Sequence, residues 1–450
     1  ARSFYTRWLA EYGDDSIAQM TGVHLCFPAL SQIAIKHFER MRVGLAPIEQ
    51  STRYVEFGDR VGGRYRYVTD PMLADLGLEG AYESAMDGVF SYYGEAVRGY
   101  VEELTEAYPD ESNLARRTKA FDVFREVLPM ATTGQVAFFG SGQALEYLLA
   151  RSLDHRLAEV RHAAALARAE LEKVIPSLLA RLGTEQAADY RRYLAGREEA
   201  VERSLRGTAL GEAAPAERRL GVRLVDHDPE GEEKVLAALA YAVLDQPLEE
   251  VRARVREMSH EERRTLLAAA LEGRRARWYK VPRAFEQAQL TFEVTLTIGA
   301  WRDLQRHRMH TQYRARLSPS AEYHVPEEIR GTRWEAGFRE AVERLSEVGE
   351  RVAAHDRALA EYCCSFSHLM RFVQHQNLRA AFWEIELRTG SQGHPIYRRI
   401  ELEKAKLVRE VYPTLGAYLL ADAADYPFAR RGQEQRAAAK HARLTGGAAP

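Results

Sequence analysis

Two arginine-bearing patches, far apart in a chain of 450 residues, have the residue types for holding phosphate. The first is Glu49-Gln50-Ser51-Thr52-Arg53-Tyr54 and the second is Arg306-His307-Arg308. A guanidinium is a planar, permanently charged fork that pairs with phosphate oxygens two at a time. It can also hydrogen-bond a polarised carbonyl without losing its proton. Ser51 reads as a phosphate ligand rather than a nucleophile, because no histidine base accompanies it. A third stretch, from Asn377 to Arg388, joins them. If Asn377 is a helix N-cap, Asn377 and Arg379 share the helix start, where free backbone N–H groups favour an anion. At about 100° per residue Asn377, Glu384 and Arg388 lie on one polar face that can line a pocket, while Leu378, Ala381, Phe382 and Ile385 form an apolar stripe. Each feature also has a plain reading: a solvated basic helix face, a salt-bridged loop, an ordinary amphipathic helix. Their joint order is what makes them informative.

The elements that must position these residues are mostly helical. Leu30, Ala34, Phe38 and Met41 recur at helical spacing, which predicts a helix leading into the first patch. Gly44 and Pro47 end it, so residues 49–54 are expected on a loop or extended turn. Residues 61–68 and 290–296 alternate like strands, one for a sheet in each half. Residues 154–206 read as surface-facing helices. Residues 208–228, with Gly211, Pro215 and Gly221, read as a linker, which places a boundary near residue 215. The tail from residue 430 to 450 is polar and expected to fray.

Composition excludes several classes. A formal charge of −2 argues against a general nucleic-acid binder, although a local basic pocket remains compatible with it. No apolar stretch approaches a membrane span, and residues 1–20 are too charged for a secretory leader, so the expected compartment is the cytoplasm. Three cysteines, Cys26, Cys363 and Cys364, offer neither a disulfide framework nor zinc ligands. Histidines such as His307 and His310 lack carboxylate or thiolate partners at ligand spacing, so no metal is expected.

Set in register, the two patches resemble one signature of the flavin-dependent thymidylate synthases: Arg-His-Arg, two residues, Ser, one residue, Asn-Glu, one residue, Ser, one residue, Arg-Tyr. Counting back from Tyr54, the first copy reads Met41-Arg42-Val43 at the triplet, Ala46 and Ile48 at Ser and Asn, then keeps Glu49, Ser51, Arg53 and Tyr54. The second keeps Arg306-His307-Arg308 and Thr311, then departs at Tyr313, Arg314, Arg316, Ser318 and Pro319. The losses are complementary. Upstream, the family's Gly-His-x-Ser/Thr-x-x-Glu-His segment has a degenerate counterpart in residues 12–19, ending at Gln19, and a better one at Glu286. Downstream, Arg125 before Leu128-Pro129 matches in the first copy, while Asn377-Leu378-Arg379 and Arg388 match in the second. In the first copy only Arg151 keeps the far end.

The resemblance implies an α+β fold of two tandem flavin-dependent thymidylate synthase-like repeats, residues 1–215 and 216–450, helix-rich with a small antiparallel sheet in each. It implies methylation of dUMP to dTMP, with methylene-tetrahydrofolate as carbon donor and FAD, reduced by NADPH, as hydride carrier. Carried over by matched position, Glu49, Ser51, Arg53 and Arg125 would hold dUMP, and Arg388 would face the uracil ring as the catalytic arginine. Arg306, His307, Arg308, Glu286, Asn377 and Arg379 would hold FAD, with Arg306 also near dUMP. The family draws these sets from different subunits of a tetramer, which implies a homodimer acting as a pseudo-tetramer of repeats, with two FAD per two chains. Departures at Ala46, Ile48, Asp303 and Tyr313 keep open a relative that binds flavin or nucleotide without methyl transfer. A helical interaction scaffold is the more distant alternative.

Overall fold

The computed structural model describes residues 15–429 and 431–444, together with Phe4 and Arg7. The upstream motif residues Tyr12, Gly13 and Asp14 lie outside the described residues. The chain divides into two compact units: one of Ala1–Ala96, Phe124–Arg218 and Arg316–His368, the other of Val97–Val123, Arg219–Ala315 and Leu369–Pro450.

The first unit carries a three-stranded antiparallel sheet of β1 (Gly22–Ser31), β2 (Leu45–Glu49) and β3 (Thr133–Ser141), in the order β1-β3-β2. Helix α1 (Gln32–Glu39) follows β1, and α2 (Gly142–Ser152) follows β3. Further along lie α3 (Ala158–Val174) and α4 (Glu185–Leu205). The sheet's core is aromatic: Phe27 stacks on Phe38 at 5.3 Å between centroids, and both meet Phe138 edge-on. Half-buried Glu159 of α3 accepts from Ser31 N at 2.7 Å, Ser31 Oγ at 2.6 Å and Tyr362 OH at 2.6 Å, tying the start of α1 into this core.

The second unit has a four-stranded antiparallel sheet, order β4-β5-β7-β6, from β4 (Gly221–His227), β5 (Gln289–Thr297), β6 (Thr311–Arg314) and β7 (Leu369–Asn377). Helix α5 (Ile298–Leu304) follows β5, and α6 (Leu378–Arg388) follows β7, with α7 (Pro395–Val411) next. Phe285 and Phe382 pack edge-to-face at 5.4 Å in its core.

The repeat implied by the sequence is present as an α+β duplication with a small antiparallel sheet in each copy. Both copies share the order β1-β3-β2 or β5-β7-β6, and each strand-to-helix junction is built alike. Ser31, Ser141, Thr297 and Asn377 are the four N-caps, and each side chain accepts from the backbone N–H of an alanine three residues on, Ala34, Ala144, Ala300 and Ala380. Capping satisfies one of the orphan donors at each helix start.

Several expectations are corrected. Residues 61–68 form no strand: Gly62 and Gly63 adopt φ of 60° and 84° and close a turn between Val61 and Arg64. The alternating tyrosines serve packing instead, Tyr65 stacking on Phe90 at 5.4 Å and Tyr67 donating to Asp87 at 2.8 Å. The missing strand is β1, and Leu30 belongs to it, so the helix begins only at Gln32. Glu49 ends strand β2 rather than opening a loop. The expected linker contains β4, paired along β5, and helix α3 is half core, burying Val160, Ala163, Ala164, Ala167 and Leu171. Helix α4 buries nothing, as a surface helix should. A helix, α8 (Gln433–Leu444), stands in the tail expected to fray, and residues 445–450 lie outside the described set. Strand 290–296 and the helix opened by Asn377 are as expected.

Candidate functional site

The sheets fix how the two copies correspond. Gly22 stands opposite Ser141 and Gln289 opposite Asn377, so Gln19 and Glu286, three residues earlier, are counterparts. Ala46 opposite Phe139 matches Thr311 opposite His375, and Glu49 opposite Val136 matches Arg314 opposite Phe372. Those pairs agree with the spacing from Tyr54. The basic triplet does not. Counted from the N-caps Ser31 and Thr297, the counterpart of Arg306-His307-Arg308 is Arg40-Met41-Arg42, one residue earlier than the sequence spacing gives. The extra residue is absorbed in the turn that follows, where Arg42 has φ 54° and Gly44 φ 80°. The first copy therefore keeps both arginines of the triplet and loses the histidine. Counted from Ser141 and Asn377, the counterpart of Arg388 is Ser152, not Arg151. Ser152 Oγ is buried and bonded to His37 Nε2 at 3.0 Å and Leu148 O at 2.6 Å, while Arg151 reaches Tyr147 OH.

In the first unit the residues expected to hold dUMP cluster. Glu49 is buried and ion-paired to Lys36 Nζ at 2.8 Å, which also meets Glu39 at 2.6 Å. Ser51 Oγ accepts from Arg53 N at 3.3 Å, shaping a tight turn. Arg53 and Arg125 are both buried, and Arg125 Nη1 donates to Thr52 Oγ1 at 3.4 Å. Thus strand β2, the turn after it and the short 3-10 helix Arg125–Val127 converge on one region.

In the second unit the residues expected on the flavin side divide between the two ends of α6, which is about 16 Å long at 1.5 Å per residue. At its start Asn377 Oδ1 accepts from Ala380 N at 2.8 Å, and Arg379 pairs with Glu286 at 3.1 Å while donating to Val281 O at 3.0 Å. The neighbouring Gln376 is buried, with neither atom of its amide hydrogen-bonded. At its end Arg388 Nε donates to His307 Nε2 at 2.8 Å and Arg388 Nη2 donates to Asp303 O at 2.5 Å. Burial, working with Arg388 against the pull of Glu384, pushes the His307 imidazole down to about 3, which keeps it neutral and able to accept. Arg306 and Arg308 are exposed on the turn after α5.

The polar face of α6 does not line a pocket between these ends. Glu384 is fully buried and takes part in an ionic cluster that the sequence reading missed. Lys404 Nζ donates to Glu401 at 2.8 Å and to Gln374 Oε1 at 3.0 Å and lies 3.6 Å from Glu384. Gln374 Nε2 reaches Glu384 at 2.5 Å and His310 Nδ1 at 2.9 Å. Burial works to raise the Glu384 carboxyl, but Lys404, His307 and His310 outweigh it and hold it low, whereas burial keeps Glu401 raised. The available signal was Glu401 and Lys404 among Ile400, Ala405 and Val408, charges inside an apolar stripe.

Among the described residues no group of three His, Cys, Asp or Glu side chains forms a metal cluster, and no helix is long and apolar enough to cross a membrane. The model of the thymidylate synthase complementing protein family matches the chain twice, over residues 1–177 and 223–414. A UPF0159 protein of Chlamydia muridarum is 34% identical over 449 residues, spanning 97% of this chain and 84% of that protein. One from Chlamydia pneumoniae is 34% identical over 459 residues with the same shares. A UPF0159 protein of Thermoplasma acidophilum is 28% identical over 475 residues, spanning 97% and 92%. With two matched regions that together cover most of its length, and strands β1, β3 and β2 recurring as β5, β7 and β6, the chain belongs to the thymidylate synthase complementing protein family of flavin-dependent thymidylate synthases.

Proposed function

We propose that the protein converts dUMP to dTMP with methylene-tetrahydrofolate as carbon donor, FAD as hydride carrier and NADPH as reductant. The supporting observation is the division of retained residues: Glu49, Ser51, Arg53 and Arg125 cluster in the first unit, while Glu286, Arg379, His307 and Arg388 form bonded pairs in the second. The repeats of this reading are residues 1–215 and 216–450, and the site is composite, drawing its dUMP side from one and its flavin side from the other.

The second unit's residues suit a dinucleotide. Gln376 has a buried amide with unmet donors and acceptor beside the N-terminus of α6, and leaving such a group unsatisfied costs about 1 to 3 kcal/mol. Asn377, Arg379 and Glu286 stand at that end of α6, while Arg306 and Arg308 stand on the turn after α5, beside its other end. When bound, the reduced flavin supplies the hydride. The chain's own residues bind and orient. Arg53 and Arg125 neutralise the dUMP phosphate, with Ser51 donating to it. Lys36 neutralises Glu49, so a sugar hydroxyl meets a paired carboxylate rather than a bare one. Arg388, with one edge held by His307 and Asp303, turns the rest of its fork to the uracil carbonyl. There it stabilises the negative charge that builds on oxygen as C5 becomes electron-rich. His307 stays neutral, so it aims Arg388 without repelling it.

Two chains would assemble as a pseudo-tetramer of repeats. The test is dTMP formation by the purified chain with dUMP, methylene-tetrahydrofolate, FAD and NADPH. Turnover is expected. A second reading, flavin and nucleotide binding without methyl transfer, is favoured by the departures from the family pattern at Ala46, Ile48, Asp303 and Tyr313, and predicts yellow protein without product.

A further inference from the structure

The first unit carries a half-open cavity of about 760 Å³ between the N-terminus of α2, the turn after α1, and α4. That volume lies within the range of small-molecule sites. Gln19, Met41, Ser141 and Gln143 line it, and by strand register and N-caps these are the counterparts of Glu286, His307, Asn377 and Arg379. At these four positions the glutamate, histidine, asparagine and arginine of the second copy are replaced, and the retained Arg40 and Arg42 are not among the described residues that line the cavity. Arg181 is the one guanidinium among the described lining residues, and it is already taken: Nη1 donates to Asp15 at 2.6 Å, Nε to Glu146 at 3.0 Å, and Nη2 to the other Glu146 oxygen. Two carboxylates around one arginine leave the polar corner net negative, which repels phosphate. The remaining wall is Met41, Val43 and Leu182 with two tyrosines, Tyr147 and Tyr190, that are 39% and 44% exposed. Exposed aromatic rings at a cavity offer stacking faces. Gln143 Nε2 sits 3.5 Å from Asp15, a long contact that a ligand edge can replace at little cost.

We infer that this cavity is a second ligand site, for a flat, phosphate-free heteroaromatic molecule with an amide-like edge, of the pterin or purine kind. Its ring lies against the tyrosines and apolar wall, and its N–H and carbonyl edge meets the Gln143 amide and the carboxylates of Asp15 and Glu146. The inference is independent of the methyl-transfer reading, because it concerns a site from which the dinucleotide is excluded.

The test titrates the full chain with pterin, followed by the ligand's own fluorescence. One saturable equivalent per chain is expected, unaffected by excess FAD or inorganic pyrophosphate. Ala187→Trp fills the cavity from α4, a helix that buries nothing, and is expected to abolish binding with the circular dichroism spectrum and thermal midpoint unchanged. Gln143→Leu, which serves if the tryptophan disturbs the fold, is expected to weaken binding about tenfold. Absence of saturable binding, displacement by FAD, or full affinity in Gln143→Leu would overturn the inference.

Discussion

At the scale of single residues, the account rests on which charges are held and by what. Arg53 is buried in the turn that Ser51 shapes, and Arg308 is exposed after α5. Arg53→Ala is therefore expected to weaken dUMP binding by on the order of 2 kcal/mol or more while flavin stays bound. Arg308→Ala should do the reverse, and isothermal titration with each ligand separates the two; equal loss of both ligands from either change would contradict the assignment. Lys404 is a different case. It is the one ammonium between Glu384 and Glu401, so Lys404→Met strands buried carboxylate and should cost about 3 to 5 kcal/mol in urea unfolding. A loss below 1 kcal/mol would show that the cluster is not held as charges. The arginines of the two patches were legible because their spacing is a local property of the chain. The Lys404 cluster was not, since β7, α6 and α7 must fold before Gln374, Glu384 and Glu401 meet.

Among elements, the strand-to-helix junction is the unit that repeats. Four N-caps of the same geometry precede an alanine by three residues, and each should contribute similarly. Asn377→Ala and Ser141→Ala are each expected to cost about 1 kcal/mol in denaturant midpoints, the usual worth of a cap. If Asn377 bears ligand as well, FAD stabilises the wild type more than Asn377→Ala in thermal melts, and a matching shift in both would make it a cap alone. The cap at Asn377 could be read from its apolar periodicity. Strand β1 could not, because Pro28 and a register shift between Phe27 and Leu30 break its alternation. The extra residue in the Arg42 to Gly44 turn displaced the triplet by one residue in a reading based on spacing. Counting from the N-caps Ser31 and Thr297 reveals that Arg40-Met41-Arg42 is the true counterpart.

For the whole molecule, three histidines, His368 buried and His155 and His307 half-buried, set the acid limit. Burial pushes His155 and His368 down to about 4 and His307 down to about 3, from an ordinary 6.5. At these three groups the unfolded chain binds more protons than the folded one below pH 6.5, which outweighs the opposite contribution of the single carboxyl of Glu401, raised to about 7, so stability falls as pH drops from 6.5 toward 4. A thermal midpoint that stays level from pH 7 to 4.5 would contradict this. The duplication itself was visible in the sequence through complementary losses, and the structure narrows those losses: the first copy lacks the triplet histidine and the arginine counterpart at Ser152, with Gln143 in place of Arg379. Such a molecule should carry one complete flavin side per chain. Titration of the apoprotein with FAD tests that directly: one tightly bound flavin per chain, two per two chains, is the expected result, and two per chain would contradict the division of labour between the repeats.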